Sequence, residues 1–464
     1  MAVAALALFL GCASAWPIQG SAGALRAAGH ALFLLAAMLV FLPVIPRRLG
    51  LPSQIFIAMV AGVFAGWAFS ALDDTAIVND YLGIFGTLFI LLLKLVIVPL
   101  IFCSIVSGVA GVGDVRKLGA LGAKALTFYF CTTAVAVLIG LSFVNAIQPG
   151  IGREALQVEG GAAAQAEDEA AAEERVSLGK KIQTVMLPKI IQNPIMAGQN
   201  PLVIIFVAIL LGAALAALGK EGEPALRVFQ SLDKAFITII TGVMALAPIG
   251  VFALMAKVIA ELGLEYVITL AKYCATVMGG LGTHFCVLAF LVCPLLGRVA
   301  PMRFLRGMTP AFEVSFSTSS SSATLPVTID CVSRRVGADR NICNFMLPIG
   351  ATINMDGTAL YLTVASLFVA QVYGIELGLQ AQFMVFLTAV LVSVGTAGIP
   401  GASIGLMSII FASAGIPVEG IGIVVGVDRI LDMSRTVVNI TGDSVGAVVI
   451  SRMEGVMGEP EEIA

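Results

Sequence analysis

Charge is what this 464-residue chain has least of. Asp, Glu, Lys and Arg make up 12% of it, and the formal net charge is −3. Soluble domains carry about 25% charged residues. A chain that is 59% hydrophobic cannot cover a water-facing surface, so its natural solvent is a bilayer. No basic block offers a face for nucleic acid. Only two histidines exist, His30 and His284, which argues against a histidine metal site. The eight cysteines (Cys12, Cys103, Cys131, Cys274, Cys286, Cys293, Cys331, Cys343) are scattered through apolar runs without a CxxC pair. They read as small core residues and say little about redox compartment.

What is present is a series of long apolar runs. A bilayer leaves only helices or a closed barrel as spanning structures. The runs are continuous rather than ten-residue alternations, so helices are expected. They cover residues 53–71, 84–111, 119–147, 186–218, 228–262, 265–297 and 341–371. Residues 1–49 stand apart. MAVAALALFLGCASA ends like a signal-peptide cleavage site but lacks the positive n-region. His30 to Ile45 reads either as a short span or as an interfacial helix. Basic residues set the orientation. Arg47 and Arg48 put one end inside, the Asp73, Asp74 and Asp80 loop lies outside, and Arg116, Lys117 and Lys124 return the chain inside. Residues 150–185, with AAAQAEDEAAAEER, are then a flexible acidic external loop. Residues 456–464 form a C-terminal tail.

Two segments do not fit simple spans. Residues 300–338 are flanked by arginines at both ends and are too short to cross twice. A re-entrant hairpin from the cytoplasmic side, with Ser319–Ser322 at its tip, is the economical solution. Residues 380–415 carry SVGTAGIPGASIG and no Lys or Arg, and read as a second hairpin, from outside. Paired interrupted segments are a pointer to a transporter's midplane site.

Three clusters carry the chemistry. In VDRILDMSRTVVNITGDSVGAVV, residues Asp428, Asp432, Arg435, Thr436, Asn439 and Asp443 fall within an arc of about 100° on a helix. An ionised group at mid-membrane costs about 2.5–3.5 kcal/mol, so this stripe faces the protein interior. A purely structural salt-bridge network is the bland alternative. Arg435 can pair with one aspartate, which leaves two carboxylates needing cations. The second cluster, GATINMDGTALY, sets Asn354 and Asp356 beside Gly357, which permits a helix break. Oxygen donors at such a break suit a hard monovalent cation, although a glycine kink with a satisfied Asn gives the same letters. The third is the serine run itself. Hydroxyls and amides at a hairpin tip can bind a carboxylate, whereas elsewhere a serine run is usually a linker. Gly401-Ala402-Ser403-Ile404-Gly405 matches the GxSxG nucleophile pattern, but that pattern has meaning on a strand-turn-helix of a soluble sheet. Here it lies in a hydrophobic hairpin.

These clusters, in this order, resemble the glutamate transporter family, the dicarboxylate/amino acid:cation symporters. SFSTSSSSATLP, LPIGATINMDGTALY, SVGTAGIPGAS, LDMSRTVVNITGD, LLLKLVIVPLIFCSIVSGVAG and APIGVFALMA carry the likeness, across residues 50–455. The resemblance implies an all-α integral membrane protein with eight transmembrane helices and two re-entrant hairpins. It also implies a homotrimer working as an elevator-type transporter, with the plasma membrane as the default location. By resemblance, Asp432 and Thr436 receive a substrate amino group, and Arg435 pairs with its side-chain carboxylate, which Thr358 also faces. Asn439 and Ser321 hold the main-chain carboxylate, Ser320 belongs to the same substrate site, and Gly398 closes over the ligand. Three sodium sites are implied. One uses Gly350, Asn354, Asn439 and Asp443. A second uses Thr352, Ser393, Val394 and Thr396. A third uses Tyr129, Thr132, Thr133, Asn354 and Asp356.

Arg435 together with Asp432 points to aspartate or glutamate as substrate, with sodium as the co-transported ion. A neutral amino acid carrier and an anion channel are the alternatives of the same fold. Where proton-coupled members carry a glutamate after the TALY tyrosine, this chain has Leu362, which favours sodium-only coupling. Relatives also place an arginine at the position of Ser319 or of Met433. This chain has neither. Arg429 either substitutes for it or pairs with Asp428 or solvent. His284, with no carboxylate near it in sequence, reads as a packing residue.

Overall fold

A computed structural model describes residues 51–71, 82–111, 115–151, 201–393 and 401–459, with Val78 and Gly398. The N-terminal extension, most of the acidic segment 150–185, and the end of the tail lie outside the described residues, as do Val394 and Thr396. Among the described residues all regular structure is helical. Three stretches are long and apolar enough to cross a membrane: Leu121–Ile147, Tyr266–Leu296 and Arg340–Val372.

The chain divides into two compact units, 1–91 with 245–267, and 92–244 with 268–464. In the first, α1 (Leu51–Ala71), the start of α2 (Gly83–Gly111) and α6 (Ala247–Leu262) form the elements. Helix α6 packs along α1. Small side chains let the backbones approach, as is usual for helices that pack in lipid. Ala253, Ala256 and Ala260 of α6 are buried with Val78 and Leu82, and Ala65 and Phe252 pack against them.

The second unit holds α3 (Val115–Ile147), α4 (Pro201–Leu218), α5 (Glu223–Met244) and α7 (Tyr266–Cys286). A π-helical stretch, Val287–Val292, and a last α turn, Cys293–Leu296, prolong α7. Then follow α8 (Pro301–Thr318), α9 (Ser321–Asp330), α10 (Arg340–Ile353), α11 (Asp356–Val372), α12 (Leu379–Ser393), α13 (Ala402–Ser413) and α14 (Ile421–Met453). Helix α11 is buried on every side from Asp356 to Ala370. A helix apolar all round belongs in the middle of a bundle, and α11 packs against α3, α12, α13 and α14.

Two expected helices are interrupted. The run 228–262 breaks at Ala245–Leu246, because Pro248 in the first turn of α6 lacks the N–H that a continuous helix needs there. The run 341–371 breaks at Asn354 and Met355, whose φ/ψ values are −100°/76° and −104°/55°. This break precedes Gly357 rather than falling on it. Gly357 serves another end: a Cβ there would lie 2.7 Å from the Arg435 carbonyl oxygen, so the glycine allows α11 to touch α14.

Helices α8 and α9 pack on each other and on α14. Their turn puts Ser319 in the left-handed region at φ 52°, an uncommon conformation for a residue with a side chain. Ser320 then caps α9 by accepting from Ala323 N–H at 3.1 Å. Helices α12 and α13 form a second packed pair, and α13 also meets α14.

Candidate substrate and cation sites

Helix α14 carries the polar stripe into the interior. Asp428, Asp432, Arg435, Thr436, Asn439 and Asp443 are all buried, at 7% exposure or less. Arg435 is the hub. Its Nη1 donates to Asp428 Oδ1 at 3.0 Å and its Nη2 to Asp432 Oδ1 at 2.7 Å. Its guanidinium lies 3.9 Å over the Tyr361 ring of α11, a cation–π contact. The expectation that Arg435 pairs with one aspartate is corrected: one planar fork serves two, since guanidinium presents several donors in fixed geometry.

Asp432 has further partners. Its Oδ2 accepts from Gly401 N–H at 3.1 Å, and Arg429 Nη1 stands 3.8 Å away. Arg429 therefore faces Asp432, three residues along the helix, rather than Asp428 or solvent. Thr436 Oγ1 donates to the Asp432 carbonyl at 2.9 Å, a local bond within α14. The tips of the two helix pairs meet beside this cluster. Ser320 Oγ donates to the Gly398 carbonyl at 2.6 Å, and Ser322 N–H to the same oxygen at 3.3 Å. Ser321 is buried next to them.

One turn further along α14, Asn439 bridges to α11. Its Oδ1 accepts from Gly357 N–H at 2.8 Å, and its Nδ2 approaches Thr358 Oγ1 at 3.3 Å and Met355 Sδ at 3.2 Å. Thr358 is thereby placed beside Asn439, at the base of the Arg435 cluster.

The cation residues gather at the break between α10 and α11. Asn354 Nδ2 donates to Asp443 Oδ1 at 3.0 Å. Gly350 lies directly against that same oxygen and near the Tyr129 hydroxyl. Thr132 Oγ1 is 3.3 Å from both Asn354 Oδ1 and Asp356 Oδ1, and Thr133 Oγ1 donates to Asp356 Oδ1 at 2.7 Å. Tyr129 OH donates to the Met346 carbonyl at 3.0 Å. Gly350, Asn354 and Asp443 thus come together, as do Tyr129, Thr132, Thr133, Asn354 and Asp356. Asn439 does not join the first group, because its amide is engaged on Gly357. Thr352 and Ser393 make only local bonds, to Ile349 O and Val390 O, and Val394 and Thr396 lie outside the described residues.

Two features escaped the sequence. His284 of α7 is fully buried and its Nε2 lies 3.0 Å from Asp356 Oδ2. It is no mere packing residue, because the carboxylate missing from its sequence neighbourhood arrives from α11, on the far side of two hairpin arms. Gly442 is the other. A Cβ there would lie 2.7 Å from Asn354 Nδ2 and 2.8 Å from Asp356 Oδ2. The glycine in ITGD was a legible signal for such a close approach. Ser403, the serine of the GxSxG match, is buried and its hydroxyl has no partner among the described residues.

With this geometry in view, known proteins can be compared. The family described as "Sodium:dicarboxylate symporter family" matches residues 51–453. The chain is 33% identical over 419 residues to the "Proton/sodium-glutamate symport protein" of Bacillus caldotenax, covering 89% of this chain and 96% of that one. It is 34% identical over 417 residues to the "Proton/glutamate-aspartate symporter" of Escherichia coli K12, with 88% and 93% covered. It is 34% identical over 442 residues to the human "Neutral amino acid transporter B(0)", with 88% and 81% covered.

Proposed function

This chain belongs to the sodium:dicarboxylate symporter family, whose members are membrane transporters and not enzymes, and we propose that it carries L-aspartate or L-glutamate together with sodium. The observation that carries this reading is the contrast between two sets of buried carboxylates. Asp428 and Asp432 sit on the Arg435 fork. Asp356 and Asp443 sit among hydroxyl, amide and imidazole groups, with no Lys or Arg bonded to either among the described residues. A buried charge without a partner is expensive. Mobile monovalent cations answer that need, and the threonine, asparagine and carbonyl oxygens around the break suit sodium.

The substrate then takes the fork. Its side-chain carboxylate meets Arg435 in a bidentate pair. Its ammonium meets Asp432 and Thr436, and its main-chain carboxylate meets Asn439 and the Ser320–Ser321 tip. Gly398 and the loop before Gly401 close over it. The first cation group is Gly350, Asn354 and Asp443, with Asn439 joining once its amide is released. The third is Tyr129, Thr132, Thr133, Asn354 and Asp356. Thr352, Ser393, Val394 and Thr396 are proposed as the second. Sodium occupancy neutralises Asp356 and Asp443, so that a loaded site crosses the membrane more easily than a half-loaded one. We place this chemistry in eight membrane-spanning helices with two re-entrant hairpins, 300–338 and 380–415, in a homotrimer working by an elevator movement.

Position 362 is a leucine buried on α11, which offers no proton-carrying group there, so sodium alone is the proposed driver. A neutral substrate brings no side-chain carboxylate to the Arg435 guanidinium, and the neutral reading is the weaker one for that reason. The test is uptake of radiolabelled L-aspartate into proteoliposomes under an inward sodium gradient, beside a potassium-only and a pH-gradient-only arm. Uptake that requires sodium and ignores the pH gradient supports the proposal. Uptake driven by protons without sodium overturns the ion assignment. Uptake of neutral amino acids alone overturns the substrate.

A further inference from the structure

The base of hairpin 300–338 gathers positive charge that the proposed transport chemistry does not use. Arg298, Arg303 and Arg306 lie where the chain enters it, and Arg334, Arg335 and Arg340 where it leaves. All are exposed except Arg335, which is half-buried. The fold brings the two sets together. Arg303 Nη2 donates to the Val336 carbonyl at 3.0 Å, across to the other arm. A Cβ on Gly307 would lie 3.4 Å from the Arg335 Cβ, so the start of α8 rests on the π-helical stretch Cys331–Val336. Arg452, at the end of α14, donates its Nε–H to the Gly297 carbonyl at 3.1 Å. That bond pins the turn at Arg298, whose φ is 52°.

Nearby carboxylates answer little of this charge. Asp330 pairs with Arg334 at 3.1 Å. Asp339 Oδ1 accepts from the Asn341 and Ile342 N–H groups, and Glu454 lies 2.6 Å from Lys124 Nζ. Arg298, Arg303, Arg306, Arg335 and Arg340 have no ion-pair partner among the described residues. Basic residues beside a span set its orientation during insertion. That role accounts for their sign, but not for a surface held in place by bonds from α14 and from both arms. Its neighbours indicate what it meets. The apolar stretch Tyr266–Leu296 ends in exposed Leu295 and Leu296, and Met302 is exposed just beyond Arg298. Apolar side chains at the edge of an acyl layer, with cationic heads immediately past it, suit a lipid headgroup. A soluble polyanion would use the charge alone. Guanidinium also matches phosphate oxygens in pairs.

We propose that the base of hairpin 300–338 is a docking surface for anionic phospholipid headgroups, with Arg298 and Arg306 as its free phosphate-binding groups. This rests on the hairpin reading of 300–338 and not on the choice of substrate, and it is read out by lipid binding rather than by uptake.

Full-length purified protein, stripped of lipid in a neutral detergent, is titrated with dioleoyl phosphatidylglycerol and with dioleoyl phosphatidylcholine, and bound lipid is counted by native mass spectrometry. Phosphatidylglycerol should bind at least about tenfold more tightly, a difference of about 1.4 kcal/mol. In the double variant Arg298→Gln with Arg306→Gln, the two lipids should bind about equally. The double variant Arg298→Lys with Arg306→Lys keeps the charge and should keep most of the preference. Equal binding of both lipids by the wild type overturns the proposal, and it is the result expected if these arginines serve orientation alone, since the purified chain is already folded. An unchanged preference in the glutamine variant also overturns it, because the lipid then rests on basic residues elsewhere. Loss of the preference in the lysine variant as well overturns it too, because charge is then not what the headgroup meets.

Discussion

The two ends of the buried stripe on α14 solve one problem in opposite ways. Toward its start, Asp428 and Asp432 are held by fixed cations, with Arg435 at 3.0 and 2.7 Å and Arg429 at 3.8 Å. Toward its end, Asp443 and the neighbouring Asp356 are held by Asn354, Thr132, Thr133 and His284, with no Lys or Arg bonded to either among the described residues. A carboxylate that is internally paired stays put, and a ligand reaches it only by displacing a partner. A carboxylate with no guanidinium or ammonium group on it keeps its appetite for charge. In the proposed function the first arrangement selects among ligands and the second recruits ions. Their separation by about three helical turns from Asp432 to Asp443, with Asn439 between them, is what would tie one event to the other.

The comparison predicts unequal damage at the two ends. Removing the fixed cation should do most. Arg435→Cys leaves Asp428 and Asp432 buried beside no fork, and breaking a buried pair in this way costs about 3–5 kcal/mol. L-aspartate uptake in proteoliposomes should fall by more than about 100-fold, and neutral amino acids become the better substrates. Unchanged aspartate uptake in this variant would sink the acidic-substrate assignment.

At the other end, Asp443→Asn removes charge while preserving shape. Loss of one cation contact, with a ceiling of about 4 kcal/mol at an effective dielectric of 20, should raise the sodium concentration for half-maximal uptake by about tenfold or more. The maximal rate at saturating sodium should suffer less. If the aspartate KM rises while the sodium dependence stays fixed, the two ends are not divided as described. Gly442→Ala is the steric counterpart. Its new methyl group meets Asn354 Nδ2 and Asp356 Oδ2, and overpacking of this kind costs about 1–3 kcal/mol. Sodium dependence should weaken by about tenfold and the thermal midpoint should drop, both measurable on purified protein.

The selecting end was easier to read in the sequence than the recruiting end. Six polar residues on one face of a single helix announce themselves by periodicity, and the structure buries all six. Even so, spacing along α14 could not say that Arg435 spans both aspartates, because side-chain reach is a matter of rotamer and not of register. The recruiting end is assembled from α3, α7, α10, α11 and α14. Tyr129, Thr132 and Thr133 look like ordinary small polar residues in an apolar run, and only the resemblance to relatives picked them out. Nothing local marks His284, because its partner lies 72 residues away. Glycine is the usual reason for a helix break, and Gly357 permits one beside Asn354 and Asp356. In the structure Asn354 and Met355 adopt the irregular geometry, and Asn354 spends its side chain on Asp443 and Thr132. The interruption between α10 and α11 falls at the polar ligand and not at the flexible residue.

His284 gives the finest test of that division, with the smallest effect. Its Nε2 engages Asp356 Oδ2 while the threonines engage Oδ1, so the imidazole fixes which oxygen faces the α3 hydroxyls. A single buried hydrogen bond to a charged group is worth about 1.5–3 kcal/mol, and a neutral donor recovers much of it. His284→Leu removes the donor and should raise the sodium concentration for half-maximal uptake severalfold, while the aspartate KM at saturating sodium changes little. His284→Gln returns an N–H to the same region and should restore most of the sodium dependence. If leucine and glutamine impair uptake equally, or if the aspartate KM shifts instead, His284 acts through packing alone. The Asp356 carboxylate would then owe its position to the threonines of α3.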